Sequence, residues 1–148
     1  MKKRTRGREL ALQFLYQRDL LGPDLIEESA AFLAEEESDR EARAFAQRLI
    51  VGVHERWDEL DAVIRGVAQN WDIARMAVVD RNVLRLATFE LLYAKDIPPK
   101  VAINEAIELG KRFSTANSGG FINGILDRIK TQREDAARAT GGEAGAEA

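Results

Sequence analysis

Between about Val78 and Ala94 the chain carries Val79, Val83, Leu84, Leu86, Ala87, Phe89, Leu91 and Leu92. Spaced at ~100° per residue on a helix, these side chains point in nearly every direction. A helix without one wet face has to be surrounded by others, so this segment demands a helical bundle with itself at the centre. Arg85 and Glu90 interrupt it. Buried charge needs partners, so the two read as a structural ion pair or polar network rather than as catalysts. Asp80 opens the segment, where the macrodipole favours an anion or where a carboxylate can be presented to a protein partner.

The rest of the chain supplies the neighbours. Apolar–polar alternation of useful length is absent, only three prolines occur, and helical spacing recurs, which predicts an all-α fold of about seven helices. The first spans about Arg4 to Leu21 and stops at Gly22-Pro23. A second covers about Asp24 to Glu35 with Asp24 as N-cap. Ser38 or Asp39 caps a third running through Val51, with a break allowed at Gly52. A fourth spans about Glu55 to Gln69 with Leu60, Val63, Ile64 and Val67 on one stripe, and Trp71-Asp72-Ile73 is a connector. Pro98-Pro99 start the sixth, in which Glu108 is spaced to pair with Arg112 while Glu105 and Glu108 face solvent. Asn117-Ser118 cap a seventh with the stripe Ile122, Ile125, Leu126 and Ile129. Residues 1–131 form one domain, and 132–148, rich in Ala, Gly and Glu, read as a fraying or disordered tail.

Composition narrows the chemistry. Cysteine is absent and His54 is the only histidine, which excludes thiolate catalysis, disulfides and multi-histidine metal sites. GxGxxG, P-loop, GxSxG and HExxH patterns are all missing, so neither catalytic residues nor a cofactor are expected. No apolar run reaches membrane-spanning length and no signal-peptide core follows the basic start, which points to a cytoplasmic protein without a membrane partner. Net charge is −3, yet Lys2, Lys3, Arg4, Arg6 and Arg8 stand in the first eight residues, leaving about −8 on the other 140. A cationic arm on an acidic body suits a docked polyanion, although a solubilising terminus has the same composition.

Two aromatic residues leave their stripes. Phe121 lies about a quarter-turn from the apolar centre of the seventh helix, on a flank shared with Asn117, Gly124 and Arg128. Ring, amide and guanidinium together suit single-stranded RNA, by stacking on a base, reading its edge and meeting phosphate. Packing against a neighbouring helix is the competing reading for Phe121. Tyr16 leaves the Leu10, Phe14 and Leu21 stripe beside Glu9, Gln13 and Leu20, which fits either an interface or a second buried face.

Longer motifs sharpen this. Val83-Leu-Arg-Leu-Ala-Thr-Phe-Glu-Leu91, Asp96-Ile-Pro-Pro-Lys-Val-Ala-Ile-Asn-Glu-Ala-Ile-Glu-Leu109, Phe121-Ile-Asn-Gly-Ile-Leu-Asp127 and Arg8-Glu-Leu-Ala-Leu-Gln-Phe-Leu-Tyr16 resemble the NusB transcription-antitermination family over roughly residues 4 to 130. The resemblance implies two packed helical subdomains, the first made of the first three helices. It implies binding to boxA-type RNA of ribosomal RNA leaders, together with NusE, a ribosomal protein that doubles as an elongation factor. It also implies association with transcribing RNA polymerase and other Nus factors. RNA contacts are implied for the arm, Lys2, Lys3, Arg4, Arg6 and Arg8, and for Asn117 and Phe121, with Arg128 on the same flank; Tyr16 and Asp80 match positions that meet the ribosomal protein. The family often carries a basic residue before the closing aromatic, where this chain has Gly119-Gly120, and Asn117 stands where some members have Asp. The alternatives are a structural homodimer that masks the RNA face and a stand-alone relative of the RNA-binding domain of RNA methyltransferases.

Overall fold

The chain is described by a computed structural model covering residues 2–68 and 72–147, with side chains as far as Ala139. In order along the chain come α1 (Lys3–Leu21), a 3₁₀ segment (Pro23–Glu28), α2 (Ser29–Glu36), α3 (Arg40–Glu55), α4 (Trp57–Val67), a 3₁₀ turn (Ile73–Arg75), α5 (Val78–Tyr93), α6 (Pro99–Phe113) and α7 (Ser118–Glu147). The segment expected at the centre is there: α5 packs against α1, α3, α4, α6 and α7. The first three helices form one layer around Leu10, Phe14, Leu33, Phe45 and Leu49, and α4–α7 form a second around Leu60, Ile64, Leu84, Leu109, Ile122 and Leu126. One continuous apolar core joins the two through α5.

Local chemistry explains most boundaries. Gly22, at φ 105°, ends α1 in a conformation an L side chain rarely adopts. The Asp39 carboxylate accepts from the Ala42 N–H at 2.8 Å and caps α3. Pro99 begins α6 where a missing N–H costs nothing.

Several boundaries differ from expectation. The second helix is split, because the chain leaves Pro23 as a 3₁₀ segment and turns α-helical only at Ser29. Helix α3 does not break at Gly52. A Cβ there would lie 2.2 Å from the Phe89 ring, so the glycine is a notch that lets α3 and α5 close together. Helix α4 begins at Trp57 and ends at Val67, short of the expected Gln69. Gln69, the expected end of that helix, and Trp71, the first residue of the expected connector, lie outside the described residues. Helix α7 runs on to Glu147, through the stretch expected to fray. Residues 134–139 are exposed there, so that part of the helix stands without tertiary packing, the condition under which helices are marginal in water.

Arg85 and Glu90 are both buried, as expected, but each has its own partners. Arg85 donates to Asp61 at 2.6 and 3.1 Å and to Asp19 at 2.8 Å, with its guanidinium 3.9 Å from the Trp57 ring centre. Arg81 adds a two-pronged pair to Asp19 at 2.7 and 3.0 Å, and Asn82 donates to the same carboxylate. Burial alone would raise the Asp19 carboxyl, but the hydrogen bonds from Arg81, Arg85 and Asn82 outweigh it and hold the group below its ordinary value. Glu90 instead takes Arg8, through Nε at 3.1 and 3.0 Å and Nη2 at 2.7 Å, and both side chains are 2% exposed. Burial pushes the Glu90 carboxyl up, and Arg8 opposes it. His54 accepts from Arg18 Nε at 3.4 Å, and burial followed by the Arg18 charge lowers its basicity.

Candidate nucleic-acid interface

The basic arm is not a free tail. From Lys3 onward it is the first two turns of α1, with no side-chain cap at Lys2 and no acid in the first turn. Cations at the positive end of a helix dipole cost ~0.3–1 kcal/mol each. A segment selected for helix stability alone would start with Ser, Asp or Glu. The charges are balanced by later acids instead, all but Glu9 on other elements. Lys3 sits 3.5 Å from Asp39 and 3.4 Å from Glu41, Arg4 3.2 Å from Asp96, and Arg6 2.9 Å from Glu37 and 3.4 Å from Glu9. Arg6, joined by the Asp39 N–H, holds the Glu37 carboxyl below the usual range. Lys2 is exposed.

Arg8 is a correction. The sequence places it with the arm as a phosphate contact, but its side chain is buried in the Glu90 pair and also lies 3.6 Å from Glu105. A phosphate cannot reach it, because residue 8 of a helix starting at Lys3 has turned inward onto α5. Glu105 is likewise not on a solvated face, since it accepts from Thr5 at 2.8 Å. The spacing that suggested Glu108–Arg112 is also unused. Arg112 reaches Glu9 at 2.6 Å, and Glu108 lies 4.0 Å from Lys111.

Two grooves open on the surface, the first beside the arm. One, of about 600 Å³, is lined by Arg6, Glu9, Gln13, Tyr16, Val79, Arg112 and Phe113 among others. Tyr16 is 39% and Phe113 46% exposed, so the groove has two aromatic rims, with Leu12 and Val79 between. The second, of about 350 Å³, is lined by Arg75, Met76, Ala77, Asp80, Thr115, Asn117, Ser118 and Phe121. Helices α5 and α6 join the grooves: Val79 lines one and Asp80 the other, and Phe113 leads into the turn that carries Thr115 and Asn117. Ser118 shapes that turn, its hydroxyl bonding to Ser114 and Thr115 at 3.1 Å each.

The residues singled out for RNA and for a protein partner are therefore interleaved. Tyr16 shares a groove with Arg6, and Asp80 shares one with Asn117 and Phe121. Asp80 is half-buried rather than exposed, and its Oδ1 is buried without a hydrogen-bond partner among the described residues. Phe121 combines its two readings: the ring is half-buried against the core and also lines the groove. Arg128 lies elsewhere. It donates to the Val67 carbonyl at 3.1 Å, near the end of α4, and lines a separate depression with Gly66, Asp127 and Gln132. Arg112, Phe113, Arg75 and Thr115 were not foreseen. Phe113 carried a readable signal, an aromatic at the last residue of α6, beyond its last buried residue, Gly110.

The NusB family model matches residues 5–131. The NusB of Myxococcus xanthus (strain DK1622) is 49% identical over 133 residues, covering 87% of this chain and 95% of the relative. NusB of T. maritima superposes with a TM-score of 0.76 at 42% identity, over 88% of this chain and 92% of that one. A chain in the crystal structure of antitermination factors NusB and NusE in complex with double-stranded RNA superposes at TM-score 0.79 and 28% identity, over 89% and 98%. Helical architecture, motif spacing and near-complete coverage agree: the chain belongs to the NusB family of transcription antitermination proteins.

Proposed function

We propose that the protein is a non-catalytic adaptor that binds boxA-type single-stranded RNA together with NusE and joins transcribing RNA polymerase with other Nus factors in the cytoplasm. The observation that carries the reading is the interleaving of the two grooves. A stacking ring, an amide and a carboxylate line one, and cationic and aromatic side chains line the other, so RNA and a basic protein can meet along a shared seam. The solved complex of relatives holds NusB, NusE and RNA together. Lys3, Arg4 and Arg6 supply phosphate attraction, Phe121 stacks, Asn117 reads a base edge, and Tyr16 with Asp80 receives NusE. Lys2 adds charge, and Arg128 plays at most a peripheral part. Residues 1–131 are the working unit, with 132–148 an appendage. Among the described residues no helix is long and apolar enough to cross a membrane.

The test is a titration with a boxA-like RNA of about twelve nucleotides, with and without NusE. Three arm cations on single-stranded RNA give a log–log salt slope near −2. NusE should tighten binding, and Tyr16→Ala should abolish that gain without changing RNA affinity in its absence. Equal affinity for boxA-like and scrambled RNA, with or without NusE, refutes the reading. A homodimer that buries the same groove competes with it, favoured by the exposed Tyr16 and Phe113 rims. A sizing column with and without RNA separates the two.

A further inference from the structure

The α5–α6 connection reaches toward the start of α1, and there one carboxylate holds two guanidiniums from distant parts of the chain. Arg48, on α3, grips Asp96 with both arms of its fork, at 2.6 and 3.1 Å. Arg4 meets the same carboxylate at 3.2 Å. All three are substantially exposed, with 39% of Arg48, 46% of Asp96 and 52% of Arg4 open to solvent. Both guanidiniums also face the Phe45 ring, at 4.7 Å for Arg4 and 6.0 Å for Arg48.

Two cations against one anion leave a local surplus of positive charge, and the exposed Lys95 and Lys100 flank it in sequence. The carboxylate offers two oxygens to a pair of forks, which is the donor pattern a phosphodiester's non-bridging oxygens satisfy. An exposed pair of this kind contributes little to stability, so a phosphate displaces it at small cost. The sequence pattern did not single out Arg48, and Asp96 entered only as the first residue of a longer motif.

We propose that Arg48 and Arg4 form a two-guanidinium clamp for a backbone phosphate of single-stranded RNA, with Asp96 occupying it until the phosphate arrives. The clamp lies at one edge of the cationic start of α1. Arg6 projects about 200° round α1 from Arg4 and leads through Glu9 to Arg112 beside the aromatic groove. An RNA strand that leaves the Phe121 groove, passes Arg112 and Arg6 and crosses the start of α1 ends on Arg48. Asp96 therefore also acts as a gate, a built-in competitor that lowers affinity for any single phosphate and favours a ligand engaging several of these cations at once. The hydrogen bonds from Arg48, against partial burial and with help from Arg4, hold the Asp96 carboxyl far below the ordinary carboxylate range. The competitor is thus charged at every physiological pH.

This inference rests on the RNA-binding reading, and one experiment separates the two. The full chain with NusE is titrated with the boxA-like RNA across a salt series, alongside Arg48→Ala, Arg48→Lys and Asp96→Asn. Arg48→Ala should weaken binding about three- to tenfold and flatten the salt slope by about 0.7, as loss of one phosphate contact requires. Arg48→Lys should keep the slope while losing part of the affinity, because the charge survives and the fork does not. Asp96→Asn should tighten binding by roughly two- to fivefold, since it removes the competing anion. A thermal melt on each variant checks that all are folded. Wild-type binding with Arg48→Ala unchanged, or with Asp96→Asn weaker or unchanged, overturns the clamp alone. No wild-type binding overturns the RNA reading and the clamp together.

Discussion

Arg4 and Arg8 stand one helical turn apart and are chemically identical, yet they belong to different parts of the molecule's physics. Arg8 is sealed against α5 with Glu90, 2% exposed, while Arg4 is half in water and shares Asp96 with Arg48. Within one basic run, burial decides whether an arginine is a strut or a contact. A buried pair cannot be given up, because an uncompensated charge would remain in the core. A rim pair can be exchanged for a phosphate at little cost. The arm is therefore two things in sequence, an exchangeable ionic rim from Lys3 to Arg6 and a structural bolt at Arg8.

The largest effect that tests this contrast is on the bolt. Arg8→Ala should destabilise the fold by about 3–5 kcal/mol, read in a denaturant melt, by leaving Glu90 buried without its partner. A loss below ~1 kcal/mol would erase the distinction between bolt and rim. Deleting residues 1–8 as a block would confound the two roles, and single substitutions avoid that.

Acid should expose the second buried network. Asp19 has a folded-state value below its ordinary 3.8, so its contribution is present above about pH 4 and is lost as pH falls through the depressed folded value. Glu90 works in the opposite sense. Its raised value contributes stability below its ordinary 4.5 that is lost as pH rises through the folded value. Asp19→Asn should therefore be less stable than wild type at neutral pH and flatter between pH 5 and pH 2 (both figures approximate). An identical acid profile for variant and wild type would remove Asp19 from the account.

On the rim, Arg4→Ala should cost under ~1 kcal/mol of stability and weaken RNA binding several-fold with a flatter salt slope. A stability loss matching that of Arg8→Ala would mean the rim is structural too. The smallest expected effect is at the other end of the chain. Truncation after Thr131 should leave melting and RNA affinity nearly unchanged, since residues 134–139 of α7 are exposed. A clear drop in either would assign the appendage a function.

Much of this was legible in the sequence, for reasons particular residues make plain. The all-round apolar segment around Val83–Leu92 could be satisfied only by a bundle, and α5 is its centre. Gly22, Asp39 and Pro99 announced helix ends because each has one dominant backbone or capping preference. Gly52 misled because its purpose, room for Phe89, is tertiary and leaves the same local signature as a break. Arg8 misled for a related reason. Composition counts charges, whereas the turn from Arg4 to Arg8 that buries one of them shows only when α5 is in place. At the site, helical phase picked out Tyr16 and Phe121 correctly as off-stripe residues. It could not say that Asp80 would meet Asn117 and Phe121, because that meeting joins the start of α5 to the α6–α7 turn.

The central claim is that the seam of two grooves is a working surface and the bolts behind it are not. Phe121→Ala tests that most directly, in an RNA titration and a denaturant melt on the same protein. Base–aromatic stacking is worth ~1–3 kcal/mol, so boxA-like RNA should bind roughly five- to 150-fold more weakly. Stability should fall by less than the ~3–5 kcal/mol of a fully buried Phe, because the ring is only half-buried. Full RNA affinity in the folded variant, together with a core-sized loss of stability, would contradict the account and leave Phe121 as packing alone.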